Sequence, residues 1–348
     1  MKSKINEIIA ERIAYADQFL KQRSIKYDNI EKAFGCDVHD SKYLLLTSSA
    51  VHGLANSGSD IDFISVNLKN FPSDRVAAQH FSNGNHMEVK PIWEEDINEA
   101  LVFLKSVENK PFFNVVEILS HWNDHCKVSK KHLERTINGV DINGQCPYMV
   151  YTPSLAYVWL TNSFEIFRKC VVYFILSERS GENIATVSYG LNSLLYLMDS
   201  VLSFHGYVYS NKKWYLQRYT NFVRENKYSL EFQELTTKIN TMYNFVLSIL
   251  ERKSELSSQL YELYLYSRNL MKIEISDENL ITSESKLHSL PFLEESIVVY
   301  NDNKQKAMLL NSSDIVDWKI PLSSLSTLKE STARQILSLL RTGLLKIN

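Results

Sequence analysis

Three things are scarce in this chain: cysteine, net charge and long apolar runs. Its four cysteines, Cys36, Cys126, Cys146 and Cys170, are widely spaced. No two have the spacing of a zinc ribbon, and the set does not read as a disulfide framework. Formal net charge is −2 over 348 residues, so no global basic field attracts nucleic acid or an anionic membrane. That argues against a long polynucleotide substrate. No apolar stretch reaches the length of a membrane span. The opening residues, MKSKINEIIAERIAYADQFL, are basic but lack the continuous apolar core of a signal peptide. Together these absences predict a soluble, reduced, cytoplasmic protein. The composition that remains, 45% hydrophobic and 22% charged, is globular, and the length predicts two or three domains with a real core.

The rest of the chain is organised around Tyr43–Val66, YLLLTSSAVHGLANSGSDIDFISV. A short apolar run, Tyr43 to Leu46, leads into Thr47, Ser48 and Ser49, then a loop with Gly53 and Gly58, then Ser59-Asp60-Ile61-Asp62-Phe63. The pattern predicts strand, tight turn into a short helix, loop and strand. On the second strand, alternation sets Asp60 and Asp62 on one face and Ile61 and Phe63 on the other. Two carboxylates on one face suit hard divalent cations. Small hydroxyl residues at the preceding turn suit a phosphate, which backbone N–H groups and hydroxyls can approach closely.

This stretch resembles the polymerase-β-like nucleotidyltransferase superfamily, whose pattern is Gly-Ser, about ten residues, then Asp-x-Asp. The resemblance implies that Asp60 and Asp62 hold two Mg²⁺ ions and that Ser48, Ser49 and Ser59 lie along the phosphates of an NTP. Ser48 departs from the pattern, because the superfamily usually has glycine there. A Cβ at that position would crowd the triphosphate or alter the turn's backbone angles. A third carboxylate is expected on a later strand in an apolar-acid-apolar context. Glu88, in His86-Met87-Glu88-Val89-Lys90-Pro91-Ile92, fits that place. Glu117, in an apolar helical run, is a second candidate for a base. His121 and His125, one helical turn apart beside Cys126, have zinc-ligand spacing but no visible partner.

Taken in order, residues 4–23 carry Ile5, Ile8, Ile9, Ile13 and Phe19 at helical spacing, an amphipathic helix. Pro72 and Asp74 begin a connection with Ser82–Asn85 as its turn. Trp93 to Leu119 reads helical, with Pro111 opening a second helix. Asn138–Pro147 marks a boundary, and beyond it 154–177, 187–204 and 229–270 follow a 3.6 period, with Ser229 as a cap. Many superfamily members carry such a helical domain, with the nucleotide between it and the sheet. Three features there have chemistry for phosphate: Ser188-Tyr189 at a helix start, Lys213 in Lys212-Lys213-Trp214, and Arg168 with Lys169. The tyrosines 196, 207, 209, 215 and 219 read as packing or as stacking surfaces for a base.

The last residues change character again. Ile297–Tyr300 and Lys304–Leu310 flank Asn301-Asp302-Asn303 as a β-hairpin, with helices expected at 312–318 and 327–342, the second ending at Gly343. This module weakly resembles winged-helix leader-peptide recognition domains, which implies a peptide added at the hairpin edge. An ordinary packing module has the same pattern. The expectation is thus an α+β protein: a nucleotidyltransferase domain (1–145), a helical domain (146–285) and a winged-helix-like module (292–348). The expected reaction is Mg²⁺-dependent transfer of an NMP from an NTP to a hydroxyl of a small molecule or peptide. Asp60, Asp62 and Glu88 would be catalytic and metal-binding, and Ser48, Ser49, Ser59 and Lys213 nucleotide-binding. End-modification of an RNA such as tRNA, and a non-catalytic nucleotide- or peptide-binding role, are the alternatives.

Overall fold

The structure is a computed structural model. It describes residues 2–69, 76–82, 84–225, 227–248, 256–278, 280–283, 287–291, 296–302, 305–311 and 320–348. The fold is α+β, and the chain forms two compact units: Met1–Asn162 with Asp199–Arg224, and Ser163–Met198 with Glu225–Asn348. This division does not follow the boundaries read from composition. Two long helices, α8 (Thr152–Arg179) and α9 (Asn183–Phe204), each contribute one end to each unit. A uniform 3.6 period carries no mark of such sharing.

The first unit is built on a mixed sheet of β1 (Ser41–Leu46), β2 (Ile61–Asn67), β3 (Ala78–Ser82), β4 (Asn85–Trp93) and β5 (Val140–Asp141), in the order β3-β4-β2-β1-β5. β2 and β4 run parallel, and the other pairs are antiparallel. Both faces of β2 are covered, which explains its near-continuous apolar run. Ile61 and Phe63 join Met87 and Val89 in a core with Ala16 and Phe19 of α1 (Lys2–Gln22) and Ile30 and Phe34 of α2 (Tyr27–Phe34). Ile64 and Val66 point the other way. They pack with α4 (Glu94–Val107), α5 (Phe112–Ser120) and α7 (Lys130–Asn138) through Leu101, Leu119 and Leu133. Short helices α3 (Cys36–His39) and α6 (Trp122–His125) and the longer α10 (Tyr215–Arg224) complete this unit. The turn between β3 and β4 falls where expected, with Ser82 opposite Asn85 and Gly84 at φ 74°.

The second unit contains the remaining parts of α8 and α9, α11 (Gln233–Leu247) and α12 (Ser257–Leu270). The single helical stretch expected over 229–270 is therefore described as separate helices, and the Ser229 side chain makes no capping bond. Gly190 of α9 lies where a Cβ would stand 2.8 Å from Val246 Cγ1 and 2.9 Å from the Phe174 ring, so the helices meet at a glycine. The C-terminal part contains β6 (Ile281–Ser283), β7 (Leu287–Pro291), β8 (Ser296–Asn301), β9 (Ala307–Asn311), α13 (Glu330–Thr342) and β10 (Leu345–Ile347). The expected hairpin is β8–β9, extended by β7 into a three-stranded sheet. β10 returns to pair with β6, which assigns Ile281–Ser283 to this part of the unit. α13 ends as expected at Gly343, in the left-handed region at φ 71°. The helix expected at 312–318 lies outside the described residues. Among the described residues no helix is long and apolar enough to cross a membrane.

Candidate functional site

The acidic residues singled out from sequence gather at one end of the β2–β4 pair. Parallel register sets Asp62 beside Glu88 and Ile61 beside Met87, and lateral neighbours share a face of the sheet. Gln79 of the edge strand continues the row opposite Glu88. Asp60 lies one residue before β2, and the Nδ1 of His86 donates to its Oδ1 at 2.9 Å. On the same side, Arg135 of α7 brings Nη1 to 3.9 Å from Asp62 Oδ1, with both side chains largely buried. Each aspartate therefore has a basic neighbour. Among the described residues no hydrogen bond or ion pair engages the Glu88 carboxylate.

The donor set is hard oxygen throughout, which in chemistry fits Mg²⁺ rather than a softer metal. Among the described residues, however, no group of three His, Cys, Asp or Glu side chains is already gathered to hold an ion. His121 bonds Asp124 at 3.2 Å and His125 stacks on Phe103, so this pair is not assembled as a zinc site.

The turn before β2 is more unusual than its sequence. Ser48 opens a short 3₁₀ helix, Ser48–His52, with φ 59°. An L-residue in that region is strained by roughly 1–2 kcal/mol, where glycine would not be. Ser48 is 6% exposed and its hydroxyl has no partner among the described residues. Ser49 is half-buried. Gly53 closes the turn at φ 66°, and a Cβ there would meet the Tyr15 ring at 2.9 Å. The Ser59 hydroxyl is taken up by its own loop, accepting from Asn56 N at 3.0 Å and donating to Asn56 Oδ1 at 3.2 Å. Arg23 ties that loop down through the carbonyls of Asn56, Ser57 and Ser59.

Ser48→Gly separates fold from ligand. Stability should rise by about 1 kcal/mol, as relief of strain and of an orphaned hydroxyl exceeds the freedom added to the unfolded chain. NTP binding should weaken by roughly 0.5–2 kcal/mol if the hydroxyl serves a phosphate. Denaturant unfolding and binding calorimetry on the same preparation read the two effects.

The other candidates do not join the carboxylates. Lys213 is exposed, with its ammonium 5.1 Å from the Trp214 ring centre. Glu117 is exposed on α5, which removes the cost of a buried charge that made it a candidate base. Ser188 lies in the second turn of α9, which begins at Asn183, so it is not at the helix start as expected. Arg168 is fully buried and bonded to Glu165 at 2.8 Å, and Lys169 pairs with the same carboxylate at 3.1 Å. Both serve the second unit's own packing.

A polar cluster that the sequence did not reveal adjoins the carboxylates. Arg12 Nη1 lies 3.1 Å from His52 Nδ1 and 3.2 Å from Nε2. The His52 ring stacks on Tyr209 with centroids 4.2 Å apart. Arg218 sits 5.6 Å from the Tyr209 ring centre and donates to Asp199 Oδ1 at 3.0 Å and to the Tyr209 carbonyl at 2.5 Å. Glu134 is buried and accepts from Ser210 N at 3.1 Å. Burial raises its pKa against the lowering effect of the Ser210 bond and Arg218. Burial also raises the Tyr209 phenol, which feels Arg135, Glu134 and Asp62 and so links the cluster to the carboxylate row. His132 is drawn down to about 4, first by burial and then by Lys90, Arg135 and Lys131. One signal was visible beforehand: Arg12 interrupts the apolar stripe of α1, four residues after Ile8 and four before Ala16.

Fold and site together define an α+β protein with a row of carboxylates at one end of a parallel strand pair and, beside it, an arginine–histidine–tyrosine stack in which Arg12 and Tyr209 are buried. The chain belongs to a family of unknown function, DUF6001, whose model matches residues 4–278. No curated protein matches it.

Proposed function

We propose that the chain is a nucleotidyltransferase similar to the polymerase-β-like superfamily, moving an NMP from an NTP to a hydroxyl and releasing pyrophosphate. The observation that carries this reading is the register of β2 and β4. It makes Asp62 and Glu88 lateral neighbours, with Asp60 two residues before Asp62 on the same chain. Asp60, Asp62 and Glu88 would hold Mg²⁺, which supplies neutralisation of the triphosphate and lowers the pKa of the acceptor hydroxyl. Glu88 accepts the acceptor's proton. The Ser48 and Ser49 hydroxyls donate to phosphate oxygens. His86 bonds Asp60 and Arg135 stands beside Asp62, so each aspartate is held by a neighbour.

The acceptor in this reading is a small molecule or a peptide. For a peptide, the C-terminal sheet would act as a winged-helix-like docking module, since among the described residues β7 and β9 stand at the outer positions of the sheet order. A second reading, nucleotide binding without transfer, is favoured by the lack of an assembled three-ligand group among the described residues. The test is pyrophosphate release with each NTP and Mg²⁺, offered pools of small molecules, peptides and RNA. Release that requires one NTP and one pool is the expected result. Saturable NTP binding with no release from any pool supports the second reading, and neither binding nor release overturns both.

A further inference from the structure

Arg12 is a buried cation that no described carboxylate pairs with. It occupies a core-facing position of α1 and is only 3% exposed. Its Nε has no acceptor, and among the described residues no carboxylate is within ion-pair distance of it. His52 cannot serve as counter-ion. Burial, Arg12 and Arg218 hold its pKa well below the ordinary value, so the ring is a neutral acceptor. The neighbouring carboxylates are already engaged, Asp199 with Arg218 and Glu134 with the Ser210 amide. Guanidinium left in that state carries a large desolvation penalty, and burial lowers its pKa to about 10. A hydrophobic residue would satisfy the helical stripe without that penalty.

A second orphan lies on the element that α1 packs against. The Ser48 hydroxyl, buried and unpartnered, is at the start of the short helix that ends at His52, and α1 contacts that helix. A buried polar group with no partner calls for a physical explanation. Here a cation with a free N–H and a hydroxyl with no acceptor stand on two packed elements.

We propose that Arg12, held in place by the His52 ring, forms with the Ser48 hydroxyl a binding site for a phosphoryl oxyanion, Arg12 supplying the charge. A guanidinium presents its N–H groups in a planar fork suited to two phosphate oxygens. The site shares only Ser48 with the nucleotidyl-transfer reading and requires no turnover. Anion binding in a protein that releases no pyrophosphate would separate the two.

The test is thermal unfolding of the full chain at constant ionic strength, in chloride, inorganic phosphate, pyrophosphate or ATP. Wild type should show a Tm that rises with the concentration of at least one phosphoryl anion and not with chloride. A response to inorganic phosphate identifies the free ion as sufficient, whereas a response to ATP alone assigns the phosphate to a nucleotide. Arg12→Met removes the charge and keeps an unbranched apolar stem. Without anion its Tm should equal or exceed that of wild type, and its apparent Kd should weaken at least about tenfold, the usual scale for a lost charge-assisted bond. Arg12→Lys should keep a weakened response. No phosphoryl-specific rise in wild type overturns the proposal, as does a full-sized rise in Arg12→Met. Should Arg12→Met fail to fold, calorimetry of wild type with pyrophosphate and ATP decides alone, and the lack of saturable heat overturns the site.

Discussion

Asp62→Asn is expected to abolish pyrophosphate release, a loss on the order of a thousandfold or about 4 kcal/mol of barrier, while the chain still folds. The amide keeps the size of the side chain and its place beside Glu88 but cannot carry the charge a divalent ion requires. Structural cost should be small, because among the described residues the one ion pair at risk is the long, 3.9 Å approach of Arg135, worth about 1 kcal/mol. Glu117→Gln on the exposed face of α5 should leave both rate and Mg²⁺ dependence unchanged. Initial rates against Mg²⁺ concentration, with circular dichroism of each variant, check the pair. If Asp62→Asn lowers Tm but turns over normally, Asp62 is a partner for Arg135 and nothing more.

The largest effect on stability should come from acid. His205 is buried, and burial lowers its pKa to about 4, against a raising bond from the Val201 carbonyl. His132 is also held at about 4, and His52 lies well below its ordinary value. A free histidine titrates near 6.5. Between 6.5 and 4 the unfolded chain therefore binds protons that the folded chain does not, so stability falls as pH falls through that window. Each fully depressed ring contributes a slope of about 1.4 kcal/mol per pH unit, with His132 contributing less because part of it meets solvent. Glu134 works in the opposite direction, since its pKa is raised. Urea unfolding at pH 7.5, 6, 5 and 4.5 should show a steep loss below about pH 6. His205→Phe, placed against Phe222, should remove close to one proton from that slope. An unchanged slope in the variant would mean that His205 titrates alike in both states.

The local pattern of the chain was legible where one strand or helix decides its own residues. Strands β1, β2 and β4 and the helix ending at Gly343 follow from alternation, apolar period and a left-handed cap. The edge strand β3 is short and flanked by polar residues, so alternation had too few positions to register. Pairing of β10 with β6 joins residues near 282 and 346, a contact that no local window contains. The site divides along the same line. Asp60 and Asp62 were singled out from strand spacing and Glu88 from the superfamily resemblance, and the β2–β4 register sets Asp62 beside Glu88. Arg12, His52, Arg135, Tyr209 and Arg218 come together only through tertiary packing of distant segments, and only Arg12 left a trace in sequence, as a charge in an apolar stripe. Ser48 shows the reverse case: its departure from glycine was visible, while its left-handed backbone and orphaned hydroxyl were not.

The interleaving of the two units sets an order of events at the ribosome. The sheet, its acidic row and helices α1 to α7 have all been synthesised once the chain has been made to Asn162. Tyr209, Ser210 and Arg218 emerge only after the intervening segment of the other unit has been synthesised. Until then His52 lacks its stacking partner and Glu134 lacks the Ser210 amide. A nascent chain stalled before residue 199 would therefore display the carboxylates but not the closed arginine–histidine–tyrosine stack. Domains tend to fold as units during synthesis, so this unit must either wait for its last segment or hold a partly built form in the meantime. Within this unit the last segment made, Asp199–Arg224, brings the ring that stacks on His52 beside Arg12.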